Sequence, residues 1–187
     1  EQKTMQRKLE ILVREIQEKN EVLNFISESD ALTGCMNRRG FIEKTLQMNR
    51  DHEGEELLIL FADLDHLKEI NDSFGHIEGD FSIRHCAEVL KKVVGADGIV
   101  GRIGGDEFCV VTLGNLKDGQ QIIERIREES DAFNCTSDKE YYVELSAGCT
   151  SVICRNGLVI ADALREADRA LYEVKKLRRN SVKKIRL

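Results

Sequence analysis

A chain of 187 residues has room for one ordinary domain and an extra segment, which excludes a two-domain architecture. With 41% hydrophobic and 33% charged residues it reads as a packed globular protein and not a disordered one. Thirty-four acidic against 28 basic residues leave a net charge of −6, which excludes broad, sequence-independent attachment to a nucleic acid, so any phosphate site must be local.

Six cysteines (Cys35, Cys86, Cys109, Cys135, Cys149 and Cys154) lie far apart, with neither a CxxC pair nor zinc-ligand spacing. They read as reduced thiols, and a cytoplasmic location follows. The longest unbroken apolar run, Leu57 to Ala62, falls far short of the roughly 20 residues that cross a bilayer, so no membrane contact is expected. The chain starts at Glu1 in mid-helix pattern, which suggests a piece of a longer protein that could itself be tethered to a membrane.

Met5, Leu9, Leu12, Ile16, Leu23 and Ile26 recur in steps of three and four, with Lys19 interrupting the series. Residues 1–29 therefore read as a heptad helix, a short parallel coiled coil, the alternative being an amphipathic helix packed on its own domain. The polar, glycine-containing break Asp30-Ala31-Leu32-Thr33-Gly34 opens the globular part, residues 30–187, and a helix is expected from Arg38 to about His52. Leu57 to Ala62 is apolar without alternation, as a central strand covered on both faces should be, and it ends in Asp63-Leu64-Asp65.

Ile83, Ala87, Leu90 and Val94 mark the inner face of a helix from about Gly79. Segments 98–103 and 107–113 read as a hairpin joined by Gly104-Gly105-Asp106. Helical spacing returns at Ile122, Ile123 and Ile126, Tyr141 to Ile153 is extended, and Ile160, Leu164, Ala167, Leu171 and Val174 mark a final amphipathic helix before a last strand, Lys183 to Leu187. A hairpin in the middle with helices before and after predicts the α+β class, a mostly antiparallel sheet flanked by helices.

Taken alone, Asp63-Leu64-Asp65 fits a helix cap or loop carboxylate as well as a metal site. Gly104-Gly105 likewise fits a tight turn, or a pair allowing positive φ and close approach of a ligand to bare backbone. Together they say more, because sequential strands are often neighbours and both acidic clusters would then meet. Two ionised carboxylates about 4 Å apart repel by roughly 4 kcal/mol at an effective dielectric near 20, and a triphosphate makes this worse. A Mg²⁺ ion, which takes one or two carboxylates plus substrate phosphates, reverses the sign.

Gly104-Gly105-Asp106-Glu107-Phe108 resembles the signature of the GGDEF family of diguanylate cyclases. Asp30 to Arg39 is similar to that family's domain opening, Asp63 to Asp80 to its nucleotide-binding stretch, and Ala167 to Tyr172 with Lys175 to its closing helix, so the resemblance covers about residues 30–182. It implies a ferredoxin-like sheet of the polymerase-palm and nucleotidyl-cyclase type. It also implies condensation of two GTP into cyclic diguanylate by a homodimer joined through the N-terminal helix and controlled by an upstream sensory domain.

The resemblance further implies Mg²⁺, with Mn²⁺ as its substitute, on Asp63, the backbone carbonyl of Leu64 and Asp106, with Glu107 completing the cluster. Asp106 or Glu107 would help remove a proton from a ribose 3′-hydroxyl. Asn71 and Asp80 would read guanine, whose ring offers donors that an amide oxygen and a carboxylate accept. His76 would lie on the substrate side, Gly104 and Gly105 would pass the substrate close to the backbone, Lys68 would stabilise phosphate charge, and Lys175 with Arg179 would hold the terminal phosphates. His52, His66 and His85 receive no role, and the basic run from Arg178 to Arg186 reads as a solvated edge.

Three positions depart from the family's pattern: His66 and Leu67 stand where aromatic residues are common, and Arg178 stands where glycine is. Gly95 to Gly101 lacks the Arg-x-x-Asp that many relatives use to bind product, so inhibition through that site should be absent. The competing readings are a catalytically silent GTP-binding regulatory module, a cyclase of mixed guanine and adenine dinucleotides, and a polymerase palm. Asp80 at the base-reading position disfavours the second, and the net charge disfavours the third.

Overall fold

A computed structural model describes residues 6–7, 11–17, 19 and 27–179. In chain order it contains β1 (Met36–Asn37), α1 (Arg38–Asp51), β2 (Glu56–Leu64), α2 (Leu67–Phe74), α3 (His76–Val94), β3 (Ile99–Arg102), β4 (Glu107–Leu113), α4 (Leu116–Thr136), β5 (Leu145–Ile153) and α5 (Ile160–Arg179). The strands form one sheet in the order β1-β3-β4-β2-β5, antiparallel throughout except for the β1–β3 pair. The α+β class is the expected one.

β2 lies between β4 and β5 and is buried on both faces, which is why its sequence does not alternate. Leu58, Leu60, Ala62 and Leu64 point into a core shared with Ile83, Cys86, Ala87 and Leu90 of α3 and Ile126 of α4. Leu57 and Ile59 point the other way, onto Phe41 of α1 and Ala163 and Ala167 of α5. The sheet is therefore a middle layer between two helix layers, and burial of these side chains, at about 25 cal/mol per Å² of apolar surface, supplies the main driving force.

Local chemistry sets the ends of the helices. The Asn37 side chain accepts from Gly40 N–H at 3.0 Å to start α1, and Asn115 with Asp118 forms a reciprocal capping box on α4. Gly75, at φ 89°, ends α2 and turns the chain into α3. That conformation suits glycine because it has no Cβ.

Three expectations need correction. α2 was not anticipated, and α3 begins at His76 instead of near Gly79; α2 buries only Ile70 and packs Leu67 beside it, too few apolar contacts to show a period. Within the stretch from Tyr141, strand pairing begins only at Leu145. Helical backbone is described at residues 6–7, 11–17, 19 and 27–28, and its heptad positions Leu12 and Ile16 are exposed, as are Ile11 and Val13. Met5, Leu9, Leu23, Ile26 and the expected strand Lys183 to Leu187 lie outside the described residues. All six cysteines are free thiols, and among the described residues no helix is long and apolar enough to cross a membrane.

Candidate active site

The β2–β4 ladder pairs Asp63 with Glu107 and continues one step further, Leu64 N–H donating to the Asp106 carbonyl at 3.0 Å. The end of the central strand and the hairpin tip are thereby one corner of the sheet. Asp63 and Glu107 are direct cross-strand partners on the face that α5 covers, an arrangement of like charges that is unfavourable without a cation.

The hairpin closes through Ile103 N–H and Gly104 N–H, both donating to the Glu107 carbonyl at 2.9 and 3.4 Å. Neither Gly104 nor Gly105 has positive φ, contrary to one reading of the sequence. Gly104 is bare for another reason: the Glu107 carboxylate folds over it, where a Cβ would stand. Gly105 faces open space and is exposed.

Asp63 is half-buried. Burial raises its carboxyl above the ordinary value, the Lys175 ammonium pulls it back, and the charges of Asp106 and Asp65 push it up again. Asp65 lies past the end of β2, in the turn before α2. Its Oδ2 accepts from Ser146 Oγ at 2.7 Å and its N–H donates to Glu144 O at 2.9 Å, fastening the end of β2 to the region of β5. Lys175 of α5 contacts Asp63 and comes within 3.9 Å of Asp65.

Among the described residues no three His, Cys, Asp or Glu side chains enclose a cation site. Two hard carboxylates and backbone oxygen at an open corner fit Mg²⁺, which keeps part of its shell for phosphates, better than an ion caged wholly by protein.

The remaining residues lie on α2 and α3. Lys68 is exposed on the first turn of α2, and His76 and Asp80 are exposed on the first turns of α3. Asn71 is half-buried, with its amide packed against Gly79, where an added Cβ would come 2.8 Å from Asn71 Cγ. The two proposed base readers thus belong to one helix–helix junction. His66 enters α2 at φ 62° and, among the described residues, is the one non-glycine in the left-handed region. Arg179 is the last residue of α5, one turn beyond Lys175.

This corner matches a known family. The model of the diguanylate cyclase GGDEF domain matches residues 27–181. The chain belongs to the GGDEF family of diguanylate cyclase domains. It is 38% identical over 172 residues to diguanylate cyclase DgcP of Escherichia coli, covering 89% of this chain and 50% of that protein. It is also 30% identical over 173 residues to the cyclic di-GMP phosphodiesterase NbdA of Pseudomonas aeruginosa, covering 91% of this chain and 22% of that protein. The chain thus spans half or less of the length of these relatives. In fold it resembles the coiled coil and GGDEF domain of DgcB from Caulobacter crescentus, solved with c-di-GMP, at a TM-score of 0.79 and 24% identity over 93% of this chain and 94% of that one.

Two features of this GGDEF domain escaped sequence reasoning. Arg102, next to the signature, donates from Nε and Nη2 to the Gly105 carbonyl at 3.2 and 2.7 Å, and the same guanidinium pairs with Asp30. Glu78, on the first turn of α3, accepts from Lys139 Nζ at 2.6 Å and Tyr141 Oη at 2.5 Å, tying the segment before β5 to the helix that carries Asp80. An arginine just before a hairpin tip was the available signal for the first; the second has none, because its partners are 61 and 63 residues apart.

Proposed function

We propose that this GGDEF domain is a working diguanylate cyclase that joins two GTP into cyclic diguanylate with release of two pyrophosphates. The observation that supports this most directly is the ladder bond from Leu64 to Asp106, which brings the Asp63 and Asp106 backbones to one corner beside an open glycine. Each ribose 3′-hydroxyl attacks the α-phosphorus of the other nucleotide, the P–O bond to pyrophosphate breaks, and the hydroxyl proton passes to Asp106 or Glu107.

Mg²⁺, or Mn²⁺ in its place, would be held by Asp63, the Leu64 carbonyl and Asp106 with Glu107 beside them, and when bound it supplies charge stabilisation of the phosphates and a more acidic hydroxyl. Asn71 and Asp80 accept from the guanine edge, with His76 beside them. Lys68, Lys175 and Arg179 carry phosphate charge, and Gly105 leaves room for substrate along the backbone, with Gly104 next to it under the Glu107 carboxylate.

One cleft holds one GTP, so the two reciprocal bonds need two protomers face to face. Residues 1–29 act as the dimerising linker: Ile11, Leu12, Val13 and Ile16 are exposed on helical backbone, as the seam of a coiled coil would be. Such a tether raises the mutual concentration of the two domains to roughly millimolar. An upstream sensory domain would bias the pair between productive and unproductive facing, with the catalytic part in the cytoplasm.

A catalytically silent GTP-binding module is the second reading, favoured by the match to a protein named as a phosphodiesterase. Incubation with GTP and Mg²⁺ and identification of the product by mass separates the two. The cyclase yields cyclic diguanylate and loses at least about 100-fold in rate on Asp106→Ala; the silent module binds GTP and leaves it intact.

A further inference from the structure

One ammonium serves two carboxylates at this corner. Lys175 contacts Asp63 Oδ1 and lies 3.9 Å from Asp65 Oδ1, with 27% of the lysine side chain exposed against 17% and 14% for its partners. Asp65 is held by Ser146 and by its own backbone bond to Glu144, whereas Lys175 reaches the site on a flexible four-carbon stem that can re-aim.

The seat of α5 does not depend on this ion pair. Ala163, Ala167 and Leu171 are buried, and the helix backbone at Ala170 and Leu171 rests directly on Gly148 of β5. Lys175 can therefore leave Asp63 without displacing the helix.

We propose that Lys175 is an exchangeable counter-ion: it neutralises Asp63 until a divalent cation takes that carboxylate, then moves to the polyphosphate that arrives with the cation. The inference rests on the cation-binding reading of the site and goes beyond it, because it gives one side chain two alternating partners and opposite effects on two ligands. An ammonium in contact with Asp63 cancels the charge that attracts a cation and repels the cation itself. Release of the same ammonium adds a donor for phosphate. Cation binding and nucleotide binding thus become coupled through one lysine, and each strengthens the other.

The test measures binding and not turnover. Free Mn²⁺ is followed by electron paramagnetic resonance as it is titrated into the wild-type chain and into Lys175→Met, Lys175→Arg and Asp63→Asn, without nucleotide. Binding of 3′-deoxy-GTP, which cannot condense, is measured on the same proteins by calorimetry, and thermal melts verify that each is folded. Lys175→Met is expected to bind Mn²⁺ about ten-fold tighter and 3′-deoxy-GTP at least about five-fold more weakly. Lys175→Arg should stay near wild type for Mn²⁺, and Asp63→Asn should lose the ion. Unchanged or weaker Mn²⁺ binding in Lys175→Met, or no Mn²⁺ binding by either it or the wild type, overturns the counter-ion. Mn²⁺ binding that survives Asp63→Asn overturns the cation site itself.

Discussion

Asp30 and Arg102, 72 residues apart in sequence, meet at 3.2 and 3.3 Å between the guanidinium Nη1 and the two carboxylate oxygens. Because Arg102 also donates twice to the Gly105 carbonyl, the residue that opens the domain and the signature turn share one rigid planar group. Asp30 follows Ser29, which bridges to Met36 of β1, so the exit of the N-terminal helix is mechanically joined to the hairpin tip.

Arg102→Lys keeps the charge but cannot span both partners. We expect it to lower turnover about ten-fold or more and to cost about 1–3 kcal/mol of stability, the range for losing hydrogen bonds to a charged group. Initial rates and urea denaturation of the same preparation check both.

The Asp30 contacts also set an acid limit. Burial pushes its carboxyl up, but hydrogen bonds from Thr33 and Arg102 outweigh that and leave it below its ordinary value. A group whose folded pKa is depressed contributes fully above its unfolded value of about 3.9, and the contribution is lost as pH falls through the folded pKa. The stability difference between wild type and Asp30→Asn should therefore be constant from about pH 5 to 8 and shrink below about pH 4. Denaturation midpoints across that range measure it.

Gly148 is where α5 touches the sheet. An added Cβ would stand 2.5 Å from the Ala170 carbonyl carbon and 2.7 Å from Leu171 Cα, both main-chain atoms that cannot rotate away. Gly148→Ala should cost about 1–3 kcal/mol by overpacking and, because α5 carries Lys175, should weaken nucleotide binding as well. Chemical denaturation and a GTP-analogue titration report the two effects.

Removal of residues 1–29 should make the specific rate rise steeply with enzyme concentration, since facing then depends on free encounter. Equal specific activity across a wide dilution series would remove the linker from the mechanism.

Gly95 to Gly101 contains no arginine, and its one carboxylate, Asp97, follows Val94 and not an arginine at the Arg-x-x-Asp spacing. Saturating cyclic diguanylate should therefore produce no noncompetitive inhibition under initial-rate conditions, measured as pyrophosphate release.

Elements whose signal is burial were legible in the sequence by itself: β2 from an apolar run hidden on both faces, the β3–β4 hairpin from its glycines, and α5 from Ile160, Leu164, Ala167, Leu171 and Val174 recurring at helical spacing. The signature and its neighbours likewise carried the family, because several short motifs agree with its pattern at matching spacing along residues 30–182. Tertiary structure alone decided what has no local period. α2 makes too few apolar contacts to repeat, the sheet order interleaves distant strands, and Lys175 lies 112 residues from the Asp63 it neutralises. Hydrophobic periodicity is written between near neighbours along the chain, whereas an ion pair is a property of distance in space, which exists only once the core has closed.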